Sequence, residues 1–333
     1  RGWLPAGVPF KFFRPGIVAV SESGWRHTGP RDESGAWLGL DAVTAEAIEP
    51  AARMTLTSGE PDGFDRVAVE FVAEPRGAPL ALRIDDGDAR SIATAASVPG
   101  LRRYETLLPR AGHRVELSAP EGSGQAVLGW SVERRRPGIV YENHGTIGAT
   151  VALLKKLTPA AVFFELGERQ PALLVVAFGT NEGFDDALDL GRYAALFDTA
   201  VGELRRAAPG AAVLIVGPPD GNRRAKDCTA QSQPANCGAA DACAWSEPRN
   251  LAAVRDIQRR VARREGWAFW DWSAAMGGRC SIDRWFGRDK PLAMPDHVHL
   301  NGDGYAAAAD MLFFDLMRGY DEWKRGRYRA TRH

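Results

Sequence analysis

The sequence predicts a chain of two parts: an all-β sandwich, then an α/β domain built on a doubly wound parallel sheet. Three observations carry this. Residues 1–136 hold short runs of alternating polarity, broken by turn residues. Residues 137–333 hold continuous apolar runs, the mark of strands buried on both faces, with helical periodicity between and after them. A length of 333 residues is enough for two domains.

The predicted strands of the first part include 66–72, 80–84, 113–117 and 126–132. Between them stand Pro61-Asp-Gly63, Asp86-Gly87 and Glu121-Gly-Ser-Gly124. Strands at this spacing make a sandwich. Trp25, Trp37 and Trp130 suit either a sugar-stacking platform or a core, and read first as core. From Pro137 the pattern changes. Gly138–Tyr141 reads as a short strand and Ala149–Leu157 as a helix. Pro171–Phe178, Ala211–Val216 and Trp267–Trp272 read as further strands. Helices are predicted near 188–208 and 248–266, and a last helix covers Ala306–Tyr320. Alternating strand and helix makes a parallel sheet, whose sites form at the carboxyl ends of the strands.

Composition narrows the function. The 42 basic and 42 acidic side chains balance, which leaves no nucleic-acid footprint. No apolar run is long enough to span a bilayer. The four cysteines, at 228, 237, 243 and 280, contain no Cys-x-x-Cys pair, so a zinc site is not expected. Their even number suits disulfides and a periplasmic or secreted protein; four cytosolic thiols are the alternative. In a parallel sheet, a helix starts at the edge where its preceding strand ends. Cys243, before the helix near 248, and Cys280, after the strand near 272, therefore share an edge. The expected pairs are Cys243–Cys280 and Cys228–Cys237.

Three short segments carry chemistry. Asp296 and His299 stand three apart in one turn, so the carboxylate can hold one imidazole nitrogen and leave the other as a general base. Gly148 precedes a predicted helix and can offer a bare backbone N–H. Asn181 follows a buried strand through Gly179, and its amide can donate to an oxyanion. The remaining candidates are less defined. His297 and His299 form a His-x-His pair without further ligands nearby, so no metal is expected. His297→Ala is expected to cost little. His144 reads as a loop histidine. Trp285 lines an acyl or sugar pocket, or plugs its loop.

Taken together, these segments resemble the SGNH (GDSL-like) hydrolases over about residues 137–320. That family's Gly block matches Gly148, its Gly-x-Asn-Asp block matches Gly179-Thr-Asn181 with Glu182 in the last place, and its Asp-x-x-His block matches Asp296 and His299. The resemblance implies a flavodoxin-like sheet, catalytic Asp296 and His299, an oxyanion hole from Gly148 and Asn181, and no cofactor. The Gly-Thr-Asn-Glu and Asp-His-Val-His-Leu segments look most like bacterial cell-wall O-acetylesterases. Those carry an inserted sandwich resembling carbohydrate-binding modules, which residues 1–136 fit. The implied partner is a glycan, and the implied reaction is removal of O-acetyl groups from a cell-wall or extracellular polysaccharide. The sequence sets no oligomeric state. The family's Gly-Asp-Ser nucleophile block occurs nowhere in the 333 residues. The first strand and its serine are expected upstream of Arg1, leaving an empty slot in the sheet. The alternative is a non-catalytic glycan-binding protein with a degenerate hydrolase domain.

Overall fold

The computed structural model describes residues 3–5, 17–32, 35–122, 124–224 and 245–330. They fall into two compact units: one runs to Ile147 and takes in Leu153–Arg169, the other joins Gly148–Ala152 to the chain from Gln170 onward.

The first unit is a sandwich of two antiparallel sheets. Its strands are β1 (Trp3–Pro5), β2 (Ile17–Ser23), β3 (Trp25–Thr28), β4 (Thr44–Ala47), β5 (Ala52–Ser58), β6 (Phe64–Ala73), β7 (Leu80–Ile84), β8 (Arg90–Ile92), β9 (Gly100–Gly112), β10 (Arg114–Ala119) and β11 (Ala126–Glu133). One sheet runs β3-β4-β11-β6-β9 with β1 on β11, and the other runs β2-β5-β10-β7-β8. Strict alternation places Met54 and Leu56, Val67 and Val69, Leu82, and Trp130 in one buried core. Each such side chain is worth about 1.5–3 kcal/mol of burial. Trp25 and Trp37 pack partly buried on apolar clusters, so all three tryptophans serve the core.

Strand β6 is buried on its other face as well, because helix α1 (Pro159–Arg169) lies there: Ala161 and Phe164 pack with Val72, Leu101 and Leu128. The sequence reading missed α1, although Thr158-Pro159 supplies a cap and a first-turn proline. On the same face the fully buried Glu70 meets Arg103 Nη1 at 2.7 Å and Arg169 Nη1 at 3.2 Å. Arg169 Nε also donates to Glu142 at 2.8 Å. His144 bridges Asp41, at 2.9 Å from Nδ1, and Glu142, at 3.3 Å from Nε2. Burial works against charge on His144, but Asp41 and then Glu142 outweigh it and hold its pKa near about 10. Burial pushes the Glu165 carboxyl up to about 7 against the pull of Arg169 and of the Leu40 N–H, which donates to it at 2.6 Å. This charged network fastens Asp41, the 142–144 segment and α1 to the sandwich. The compact units accordingly do not divide at the predicted boundary between 136 and 137. Gly138–Tyr141 is no strand: it joins no ladder, and Ile139 and Tyr141 are 95% and 78% exposed. A β-branched run without a neighbour to bond has no reason to extend as a sheet.

The second unit holds the parallel sheet β12 (Leu173–Ala177), β13 (Ala212–Val216) and β14 (Ala268–Trp270), in that order. The helices are α2 (Thr180–Gly183), α3 (Leu190–Ala207), α4 (Leu251–Glu265), α5 (Trp272–Met276), α6 (Ser281–Phe286) and α7 (Gly302–Ala330). Asp189 caps α3 by accepting from the N–H groups of Gly191 and Arg192. Gly266, at φ 69°, ends α4 in the left-handed conformation. Leu214, Val216 and Trp270 pack with Met311 and Leu312 of α7. The alternate residues Val213 and Ile215 are buried too, and α4 packs on β13 and β14. The fold is thus the expected one, an α/β unit with a parallel sheet and an all-β sandwich. Strand β12 is the exception in burial. Among the described residues no strand pairs with its outer edge, and Leu173 and Val175 are 43% and 50% exposed. In register they stand beside Ala212 and Leu214, on the face that α7 covers further along. Phe313, Phe314 and Leu316 of α7 are exposed as well.

Candidate active site

Asp296 and His299 form a closed pair. The turn that holds them is pinned by Met294 N–H donating to His299 O at 2.7 Å, by His297 N–H donating to Met294 O at 3.1 Å, and by a bridge between Ala293 and Leu300. Asp296 Oδ1 accepts the backbone N–H of Val298 at 3.0 Å and of His299 at 2.9 Å, and its Oδ2 lies 2.6 Å from His299 Nδ1. Slight burial raises the Asp296 pKa, but the His299 ring and the two backbone N–H groups outweigh it and hold the carboxyl below its ordinary value. The carboxylate therefore stays charged and favours the Nδ1–H tautomer. The side chains are 49% and 69% exposed, and among the described residues nothing bonds His299 Nε2. That nitrogen is free to take a proton.

Gly148 has φ 69°, a conformation that glycine adopts without strain. The predicted helix 149–157 is shorter and tighter, a 3-10 helix over Val151–Lys156. Asn181 sits in α2, just past the end of β12. Gly179 makes this possible twice over. Its φ is 122°, and a Cβ there would lie 2.7 Å from Gln258 Nε2 and 2.9 Å from Val254 Cγ1. The two blocks clasp each other: Asn181 Nδ2 donates to Ala149 O at 2.8 Å, and Val151 N–H donates to Glu182 Oε1 at 2.7 Å. Among the described residues, no acceptor bonds the second amide hydrogen of Asn181. Glu182 is buried, and that burial raises its pKa against the opposing Val151, Glu182 and Gly179 N–H groups. Its role as a brace for the Gly148 segment was not foreseen, though its departure from the expected Asp was visible.

The loop after β13 links these segments to the histidine turn. Asn222 N–H donates to His297 O at 2.8 Å, Arg223 Nη1 donates to Phe184 O at 3.3 Å, and Asn250 Nδ2 donates to Asp185 O at 2.7 Å. A Cβ on Gly221 would stand 3.2 Å from the Phe184 ring and 3.8 Å from His297 O. Gly148, Asn181, Asp296 and His299 thus belong to one connected region at the carboxyl ends of β12 and β13.

Other expectations change. Trp285 does not line a pocket: it is 5% exposed, donates from Nε1 to Met276 O at 3.1 Å, and packs with Ile282, Leu300 and Ala308. Its large ring fills the loop core. His297 is not a passive neighbour. It is 6% exposed and its Nδ1 bonds Asp283. The two histidines of the His-x-His pair have separate carboxylates and do not converge. Among the described residues, no group of three or more His, Cys, Asp or Glu is arranged for a metal. No serine among them bonds His299. Ser273 and Ser281 are buried, and the backbone of Ser246 pairs with Arg223. Cys228, Cys237 and Cys243 lie outside the described residues, and with them both expected pairs; Cys280 is not a free thiol.

The model of the GDSL-like lipase/acylhydrolase family matches residues 110–307, more than half of the chain. The chain belongs to the GDSL-like lipase/acylhydrolase family. No curated protein matches the sequence. Among solved structures, a peptidoglycan O-acetylesterase in action is similar over 95% of this chain and 81% of its own, at 24% identity and a TM-score of 0.74. This likeness extends the shared fold over both units. A family two carbohydrate esterase from Cellvibrio japonicus is 14% identical over 90% of this chain and 97% of its own, at a TM-score of 0.33. A carbohydrate-binding module from a Cellvibrio mixtus lichenase, in complex with cellotriose, is 14% identical over 36% of this chain and 99% of its own, at a TM-score of 0.24.

Proposed function

We propose that this GDSL-like protein is a serine esterase that removes O-acetyl groups from a bacterial cell-wall or extracellular glycan. The observation that carries the proposal is the Asp296–His299 pair, with Nδ1 held at 2.6 Å and Nε2 unoccupied among the described residues. A serine hydroxyl attacks the acetyl carbonyl and passes its proton to His299 Nε2. Asp296 stabilises the imidazolium that results. The oxyanion accepts from Gly148 N–H and from the spare hydrogen of Asn181. Collapse breaks the bond to the sugar oxygen, which takes the proton from Nε2 and leaves as the free hydroxyl. Water then repeats the sequence on the acyl-enzyme and releases acetate. No cofactor enters any of these steps.

The serine belongs, in this reading, to an upstream Gly-Asp-Ser segment whose strand pairs with the open edge of β12. Among the described residues no strand pairs with that edge, and Leu173 and Val175 are exposed, which supports this reading. The sandwich unit then binds glycan, and the protein works in the periplasm or outside the cell, with Cys243–Cys280 and Cys228–Cys237 as its disulfides. The test is a chromogenic acetyl-ester assay on the complete gene product, beside the same protein with the Gly-Asp-Ser serine changed to alanine. Turnover in the first and none in the second is expected. A complete product without turnover that still sediments with insoluble glycan would instead identify a glycan-binding protein with a degenerate hydrolase unit.

A further inference from the structure

The side chains of Asp296 and His299 are 49% and 69% exposed, so burial alone does not hold them. Aim at a substrate must therefore come from the backbone between them. The residue at its centre, His297, has φ 56°, a left-handed conformation uncommon for any residue but glycine. Its side chain is the buried one of the three. His297 Nδ1 bonds Asp283 Oδ1, Asp283 Oδ2 accepts from Asn222 Nδ2 at 2.8 Å, and Asn222 N–H donates to His297 O at 2.8 Å. Three residues from three segments (the loop after β13, helix α6 and the turn itself) thus close one ring of hydrogen bonds. The imidazole also stacks on Trp245, with centroids 3.8 Å apart and planes within 6°, and leans on Phe286 at 4.7 Å.

We infer that His297 is a positioning residue for the base: the ring with Asp283 and Asn222, and the stack on Trp245, fix the left-handed turn that orients His299 against Asp296. The inference rests on the reading of Asp296 and His299 as the catalytic pair. It assigns His297 no contact with substrate. A hydrogen-bonded ring of this kind locks a rotamer and a backbone conformation together, because no member can turn without leaving a buried partner unsatisfied. Small angular freedom matters here, since displacing a catalytic group by about 1 Å can cost about a hundredfold in rate.

The test reads His299 directly, in the chain as it stands and without any activity. In the wild-type protein, long-range proton–nitrogen NMR should show His299 predominantly as the Nδ1–H tautomer at neutral pH. His297→Phe keeps an aromatic ring but loses the donor to Asp283. Its ratio of Nδ1–H to Nε2–H at His299 should fall about tenfold, in keeping with loss of one charge-assisted hydrogen bond. His297→Asn tolerates the left-handed turn and keeps a donor near the Nδ1 position, so it should recover much of the wild-type ratio. Asp283→Asn, at a partly exposed site, serves if His297→Phe does not fold, and should shift the ratio in the same direction. A folded His297→Phe or Asp283→Asn protein with the wild-type tautomer ratio overturns the proposal. Failure of the catalytic reading would appear separately, as a complete enzyme that keeps its turnover after His299→Ala.

Discussion

His144 in the sandwich unit and His299 in the α/β unit each set Nδ1 against an aspartate, at 2.9 Å from Asp41 and 2.6 Å from Asp296. The difference lies in the second nitrogen. His144 Nε2 faces Glu142 at 3.3 Å, and the ring sits within a buried network that includes Arg169, Glu70 and Glu165. A proton there is held by two carboxylates, and the pair stabilises structure. His299 Nε2 meets nothing among the described residues, and its ring is 69% exposed. One carboxylate–histidine pair is a clasp, and the other leaves open the nitrogen that the proposed base would use. What separates them is an empty coordination position, rather than the identity or distance of the partner.

The largest effect is expected at His299. In the complete enzyme, His299→Ala should lower kcat on a small acetyl ester by about 10⁴-fold or more, and Asp296→Asn by a similar factor through the wrong tautomer. Both are exposed, so melting temperatures should stay close to wild type; a parallel collapse in stability would count against a purely catalytic role. The opposite pattern is expected in the sandwich. Arg169→Met leaves Glu70 without one of its cations and Glu142 without its guanidinium. Removing one partner of a buried network typically costs about 3–5 kcal/mol. Denaturant unfolding should register that loss, and a shift below about 1 kcal/mol would show the network to be dispensable.

Smaller effects sharpen the picture. Glu182→Ala removes the acceptor of Val151 N–H and should cost about ten- to a hundredfold in kcat with little change in KM, whereas Glu182→Gln keeps an acceptor and should be nearly silent. Equal losses in both would mean that charge, not bracing, is the role of Glu182. A further effect is a slope with pH. With its folded pKa near about 7 against 4.5 for the ordinary carboxyl, Glu165 is disfavoured as an anion in the fold. Stability linked to Glu165 is therefore complete below about pH 4.5 and is lost as pH rises through about 7. Thermal unfolding across this window should be flatter for Glu165→Gln than for wild type; identical slopes would remove Glu165 from the account.

How much of this could be read from the sequence depended on whether the determinants were local. Leu173–Ala177 and Ala212–Val216 announced themselves as continuous apolar runs, and Asp296 with His299 needed only a turn. Asn181 beside Gly179 was equally local. The clasp at His144 was invisible, because its aspartate stands 103 residues away. Asp283 and Asn222 were hidden for the same reason: each meets His297 only after the sheet has formed. Gly138–Tyr141 misled, because three β-branched or aromatic residues in a row describe a strand only if a neighbouring strand is there to bond them. Trp285 showed the limit of composition, since an indole suits a core as well as a pocket and only its 5% exposure decides between them.

Among the described residues the outer edge of β12 is unpaired, which bears on behaviour in solution as well as on catalysis. An apolar edge strand with unpaired backbone groups is adhesive, and natural proteins usually blunt such edges with charge, proline or a covering loop. Leu173 to Ala177 has none of these within it. Such an edge can template another molecule's strand in a concentrated preparation, and exposed Phe313 and Phe314 on α7 add further apolar surface. Light scattering is therefore expected to show a more monodisperse protein when it is dilute or when a segment occupies this edge.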